Sequence, residues 1–195
     1  MTELEEWVVL CDPDGSAAGS ALKTTVHHRE TPLHLAFSCY VFDPAGRVLV
    51  TRRAYDKKTF PGVRTNSCCG HPTPGEGMSI AVMRRLRQEL GIVPGQLDLI
   101  LPTFRYRATA ADGTVENELC PVYRAVTTGG ELSVDPAEVD GAWWVPWTVF
   151  AVEVDRADPL SLWGEQQVNV LNALGPDPFG WAAGDPGLLP GAASP

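Results

Sequence analysis

The chain has 195 residues, 44% of them hydrophobic and 20% charged, which suffices for one well-packed domain and is short for two. A net charge of -9 and a pI near 4.8 argue against nucleic acid or an anionic membrane as the general partner, since both demand a basic face. Five cysteines (11, 39, 68, 69 and 120) form an odd, scattered set with no secretory apolar segment ahead of them. That pattern suits a reducing cytoplasm, and the longest uncharged apolar run, 141–152, contains a proline and is too short to span a bilayer. The expectation is a soluble, cytoplasmic, monomeric α+β protein.

Trp7 to Leu10 reads as a strand closed by the turn Asp12-Pro13-Asp14-Gly15. Residues 23–30 are polar and read as a surface loop carrying Lys23, His27 and His28. Leu33 to Phe42 is a nearly continuous apolar strand, and after the turn at 43–46 Val48 to Thr51 returns as its hairpin partner. The segment 77–90 has Val82, Met83, Leu86 and Leu90 at helical spacing, ended by Gly91, with Arg85 and Glu89 sharing its more polar side. A second hairpin joins 103–109 to 114–125. It points Glu116 and Glu118 the same way and sets Tyr106 opposite Glu118. Ala142 to Val145 is another strand, Pro146 opens a short helix, and 159–174 is a last helix carrying Trp163. Glycine, proline and alanine dominate 175–195, so a catalytic domain over 1–174 with a disordered tail is expected.

Three features carry chemistry. Arg52, Arg53, Lys57, Lys58 and Arg64 place five of fifteen basic residues close together. With Glu89 they suggest a diphosphate held partly through Mg2+, although a solvated charged face has the same composition. His27, His34, His71, Glu116 and Glu118 are residue types that bind a first-row divalent metal. Paired glutamates on an apolar strand are costly to bury unless a cation or a shared proton relieves them. In Asn66-Ser67-Cys68-Cys69-Gly70-His71-Pro72 a thiol, a glycine and an imidazole fall together. If this stretch is extended, Cys68 and Cys69 point to opposite sides, Cys69 toward the site and Cys68 into the core.

The run Gly70-x5-Glu76-x7-Arg84-Arg85-Leu86-x-Gln88-Glu89-x-Gly91-Ile92 resembles a Nudix box. The usual box has Arg-Glu where this chain has Arg84-Arg85, and Glu-Glu where it has Gln88-Glu89; those lost carboxylates speak against ordinary Nudix hydrolysis. Leu33-His34-Leu35-Ala36-Phe37-Ser38, Thr51-Arg52-Arg53-Ala54, Pro61-Gly62-Val63, Thr65 through Pro72, Phe104-Arg105-Tyr106-Arg107-Ala108 and Glu116-Asn117-Glu118 are similar to type 1 isopentenyl-diphosphate Δ-isomerases. The likeness covers about residues 5–170.

The resemblance implies a single Nudix-like domain, a mixed central sheet flanked by helices. It implies that His27, His34, His71, Glu116 and Glu118 bind one divalent transition metal, Mn2+ or Zn2+, with Cys69 and Glu118 as the acid/base pair and Tyr106 beside them. It further implies that Glu89 helps hold Mg2+ on the diphosphate of a small isoprenyl substrate, that Lys23, Arg53, Lys57 and Arg85 surround the phosphates, and that Trp163 lies against the reacting end. Phe60 stands where an indole is common. Two rival readings remain, a Nudix-type diphosphate hydrolase and a non-catalytic metal-stabilised binding module.

Overall fold

The computed structural model describes residues 6–129, 131–152 and 157–193. β1 (Trp7–Cys11) and β2 (Ala17–Leu22) form an antiparallel hairpin, and Lys23–Val26, expected as loop, closes into one helical turn, α1. The apolar run 33–42 splits at Ala36 into β3 (His34–Leu35) and β4 (Phe37–Phe42), which belong to different sheets. β5 (Arg47–Arg53) then meets β4 only at Phe42↔Val48, so the expected hairpin is a single rung.

The wedge that separates β4 from β5 is the thiol-bearing stretch itself. β6 (Arg64–Thr65) pairs with β5, and β7 (Cys68–Gly70) pairs with β4. Between them Ser67 replaces the missing ladder with its side chain: its hydroxyl accepts from Val41 N (2.7 Å) and donates to Leu49 O (2.6 Å). Backbone groups of two strands are thereby satisfied across a gap where no ladder can form.

α2 (Met78–Leu90) follows. Val82, Leu86 and Leu90 are buried as expected, and Gly91 ends the helix at φ 69°. Met83 is exposed, and the inner face is completed by Met78 and Ala81. Arg85 and Glu89, placed on the polar side by their chemistry, are in fact buried, because that side of α2 faces a cleft. β8 (Gln96–Leu101) has no counterpart among the expected elements. β9 (Arg105–Thr109) and β10 (Val115–Leu119) form the second hairpin, with Tyr106 opposite Glu118 in the expected register. The second strand of that hairpin breaks at Cys120-Pro121 before β11 (Val122–Val126).

The two breaks lie side by side. Ala36 N donates to Leu119 O (2.8 Å) and Ser38 N to Pro121 O (3.1 Å), so the parallel pairs β3/β10 and β4/β11 leave one sheet and enter the other together. Pro121 offers no N–H with which to continue a ladder, so the break falls where a strand interior tolerates it least. β12 (Val139–Pro146), α3 (Trp147–Phe150) and α4 (Leu162–Ala173) complete the chain's regular elements. The sheets run β2-β1-β3-β10-β9 and β12-β5-β4-β11-β8, both mixed, in a single α+β domain with α2 packed over one core and α3 and α4 over another.

The tail expected to be disordered is packed instead. Trp181 is buried against Phe42 and Trp147, and Arg124 donates to the carbonyls of Pro178 and Trp181. Main-chain bonds Gly184 N to Leu99 O (2.8 Å) and Ala192 N to Gly15 O (2.7 Å) fix the rest. One aromatic anchor and a few backbone partners thus order a segment whose composition argues for a coil. Residues 194 and 195 lie outside the described residues.

Candidate active site

The crossing between the sheets opens into a cleft of about 940 Å3. The expected catalytic, metal and substrate residues line it, other than the fully buried His34, but Arg52 and Arg64 of the basic cluster do not: both pair with Asp158 outside it.

At the closed end His27, His34, His71 and Glu118 bring one ligand atom each to within 4.8 Å of one another. His34 Nδ1 donates to Pro32 O (2.9 Å), since a carbonyl only accepts, and this turns Nε2 toward Glu118 Oε1 at 3.4 Å. His27 Nε2, His34 Nε2 and His71 Nδ1 are buried without a hydrogen-bond partner. Burial, helped by the neighbouring imidazoles, pulls His27 down to about 3 and His71 down to about 4 despite Glu118. His34 goes the other way: although burial opposes it, Glu118 pushes it up. Three imidazoles converging beside a carboxylate are the donor set of a divalent metal, which would take the place of the proton that Glu118 favours on His34. The residues present fit such an ion.

Glu116, expected as a fifth ligand, stands outside this group. Its Oε2 meets the Tyr106 hydroxyl at 2.9 Å, and the same hydroxyl lies 2.8 Å from Glu118 Oε2. One phenolic hydrogen cannot serve both. Burial and the neighbouring Glu118 push the Glu116 carboxyl up, whereas Glu118, opposed by burial, is held well down by His34 and His71. A proton on Glu116, donated to the phenol oxygen, with the phenol proton directed at Glu118, would satisfy all three groups.

Cys69 and Cys68 do face opposite ways. Cys68 is buried in the core beneath α2. Half-buried Cys69 places Sγ 3.1 Å from Asn66 Oδ1 and 3.3 Å from Ser38 Oγ. Asn66, absent from the sequence-based site, is what aims it. Its Nδ2 donates to the carbonyls of Cys39 (3.0 Å) and Cys68 (2.9 Å), which fixes the amide's orientation, so Oδ1 receives the Cys69 thiol, Trp163 Nε1 (3.2 Å) and Thr65 Oγ1 (2.9 Å). Burial pushes the thiol up to about 12, against the Ser38 hydroxyl and Arg53. Trp163 and Tyr106 face each other with ring centroids 5.7 Å apart, Phe60 stands edge-on to Trp163, and Arg53 lies 5.8 Å over the indole.

The mouth is built differently. Lys23 pairs with Glu6, Lys57 with Glu138, and Arg85 with Glu89 (Nε to Oε1 2.8 Å), Glu138 (3.2 Å) and Glu6 (3.5 Å). Burial opposes it, but Arg85 and Lys57 hold the Glu138 carboxyl at about 2. Glu89 points to this end and takes no part in the histidine cluster. Glu6 and Glu138 were missed because each is an isolated carboxylate far in sequence from its partners. Arg53 instead donates to the carbonyls of Thr59 (2.8 Å) and Phe60 (3.2 Å), shaping the loop after β5.

A helix carrying buried Arg85 and Glu89 beside two mixed sheets defines the class, a NUDIX domain, and the NUDIX domain model matches residues 32–163. A Deinococcus radiodurans crystal structure superposes with a TM-score of 0.65 over 85% of this chain and 98% of its own, at 17% identity, which shows the fold. An isopentenyl-diphosphate Delta-isomerase from Mycolicibacterium vanbaalenii is 54% identical over 89% of this chain and 96% of its own length. One from Saccharopolyspora erythraea is 51% identical over 96% and 97%. The chain belongs to the isopentenyl-diphosphate Delta-isomerase family of NUDIX-domain proteins. No helix among the described residues is long and apolar enough to cross a membrane.

Proposed function

We propose that this enzyme interconverts isopentenyl diphosphate and dimethylallyl diphosphate, with Cys69 and Glu118 as the acid/base pair. The observation that carries the reading is the division of one cleft into a closed end, with a thiol, a phenol-linked carboxylate and two facing aromatic rings, and a cationic mouth. A proton is delivered to the terminal carbon of the alkene, positive charge develops at the tertiary carbon, and a proton leaves the carbon on its far side. No bond to phosphorus breaks. Trp163 and Tyr106 offer ring faces to that charge, a contact worth ~2 kcal/mol when desolvated. Tyr106 donates to Glu118, and Asn66 holds the Cys69 thiol and the Trp163 ring on one acceptor. Bound at His27, His34, His71 and Glu118, Mn2+ or Zn2+ would supply positive charge that holds Glu118 and tunes its proton affinity.

At the mouth, Lys23, Arg53, Lys57 and Arg85 surround the diphosphate, and Glu89 shares its Mg2+. Binding energy from this remote group positions the alkene. The hydrolase reading has less to work with, because Arg85 and Gln88 stand where the usual box has carboxylates. The deciding experiment incubates the protein with isopentenyl diphosphate in D2O. Deuterated dimethylallyl product without phosphate release supports the isomerase. Phosphate release makes the chain a hydrolase, and neither product makes it a binding module.

A further inference from the structure

Resting on the diphosphate reading of the mouth, we propose that Glu138 is a positioning residue that fixes the spacing between Lys57 and Arg85. These two cations come from unrelated segments, the loop after β5 and the middle of α2, and like charges repel. Glu138 contacts both, Lys57 Nζ through Oε2 and Arg85 Nη2 through Oε1 at 3.2 Å. No other carboxylate among the described residues forms an ion pair with both.

The main chain repeats the connection. Asp135 N donates to Glu89 O at the end of α2 (2.9 Å), Glu138 N to Asp135 O (3.0 Å), Ala54 N to Glu138 O (3.0 Å), and Lys57 N to Ala54 O (3.2 Å). The turn bearing Glu138 therefore ties the helix that supplies one cation to the loop that supplies the other. Its side chain lies between the cations these segments carry. Glu6 differs: it also touches two cations, Lys23 and Arg85, but its side chain is 43% exposed against 22% for Glu138.

If Glu138 merely competed with the diphosphate for these cations, neutralising it would tighten anion binding. A positioning role gives the opposite sign, because Lys57, released from Glu138, moves apart from Arg85, which Glu89 and Glu6 still hold, and the entropy of bringing Lys57 back must be met on binding.

The test titrates the full chain with magnesium pyrophosphate by calorimetry and measures kcat and KM for isopentenyl diphosphate. Glu138→Gln should weaken pyrophosphate about tenfold and raise KM by a similar factor, with kcat within about twofold. Glu138→Asp, which keeps the charge on a shorter arm, should recover part of the loss and serves if the first variant folds poorly. In a Lys57→Met background Glu138→Gln should add little, as coupled residues require. Unchanged or tighter pyrophosphate binding in Glu138→Gln overturns the proposal, as does a loss confined to kcat. Pyrophosphate binding needs no turnover, so failure of the isomerase reading would appear separately, as wild-type binding without deuterated product. Absence of wild-type binding would remove the diphosphate reading and this proposal together.

Discussion

The two ends of the cleft solve opposite electrostatic problems. At the closed end, lone pairs and a carboxylate are brought together without enough hydrogens to satisfy them: three imidazole nitrogens have no partner, and one phenolic hydrogen faces two carboxylates. At the mouth, Lys23, Lys57 and Arg85 are matched by Glu6, Glu89 and Glu138, every one in an ion pair. The closed end offers a donor set that a divalent cation could fill. At the mouth Lys23, Lys57 and Arg85 each already have a carboxylate partner, so a diphosphate is expected to enter it with a divalent cation of its own. Strength of metal binding and ease of exchange should divide along the same line.

Chemistry at the closed end should give the largest effect. Cys69→Ala removes the thiol proposed as one half of the acid/base pair and should lower kcat about a thousandfold with the fold intact. Cys68→Val, on the core side of the same strand, should keep most activity and shift only the melting temperature. Alkylation by an epoxide analogue, mapped on peptides, should mark Cys69 alone; an active Cys69→Ala enzyme would remove this residue from the mechanism.

Next in size is the metal. His34→Ala should lose the tightly held ion, measured by elemental analysis, and with it about a hundredfold in activity, because His34 is a fully buried member of the donor set. Dialysis against a chelator should likewise lower the melting temperature of wild-type protein, since the ligands come from three separate stretches of chain. Full occupancy in His34→Ala would mean the ion sits elsewhere. Glu89→Gln sharpens the contrast: it should leave that ion in place while raising the Mg2+ concentration needed for half-maximal rate about tenfold. Loss of both metals together would show that the two ends form one site.

How much of this was legible follows the same physics. α2 could be read because its apolar spacing and Gly91 are local signals, and the Tyr106–Glu118 register because a short turn sets it. The breaks at Ala36 and Cys120-Pro121 could not: an apolar run has the same composition whether it stays in one sheet or crosses to another, and each break is matched only by the other, in a distant stretch of chain. The histidines, Cys69 and the glutamate pair sit in recognisable strings. Glu6 and Glu138 act through partners 17 and 81 positions away and leave no periodic trace, and Asn66, although three positions from Cys69, has its indole partner 97 positions away.

The smallest expected effect tests whether the mouth is held by charge. Glu138 keeps a carboxyl near 2 against an ordinary value of 4.5, so the folded state binds a proton there less readily than the unfolded chain. Between those values the unfolded state carries more protons, and stability falls as pH falls. The carboxylate's contribution is therefore fully present above about 4.5 and lost progressively toward 2. The group is partly exposed, so solvent and salt reduce its worth to about 1 kcal/mol or less. Urea midpoints of wild type and Glu138→Gln should differ by a constant amount from pH 7 down to about 4.5, then converge as the pH is lowered further. The gap should also narrow in high salt. A gap that is independent of both pH and salt would mean that Glu138 holds Lys57 and Arg85 through shape and neutral hydrogen bonds. The mouth would then resemble the closed end in depending on fixed geometry more than on balanced charge.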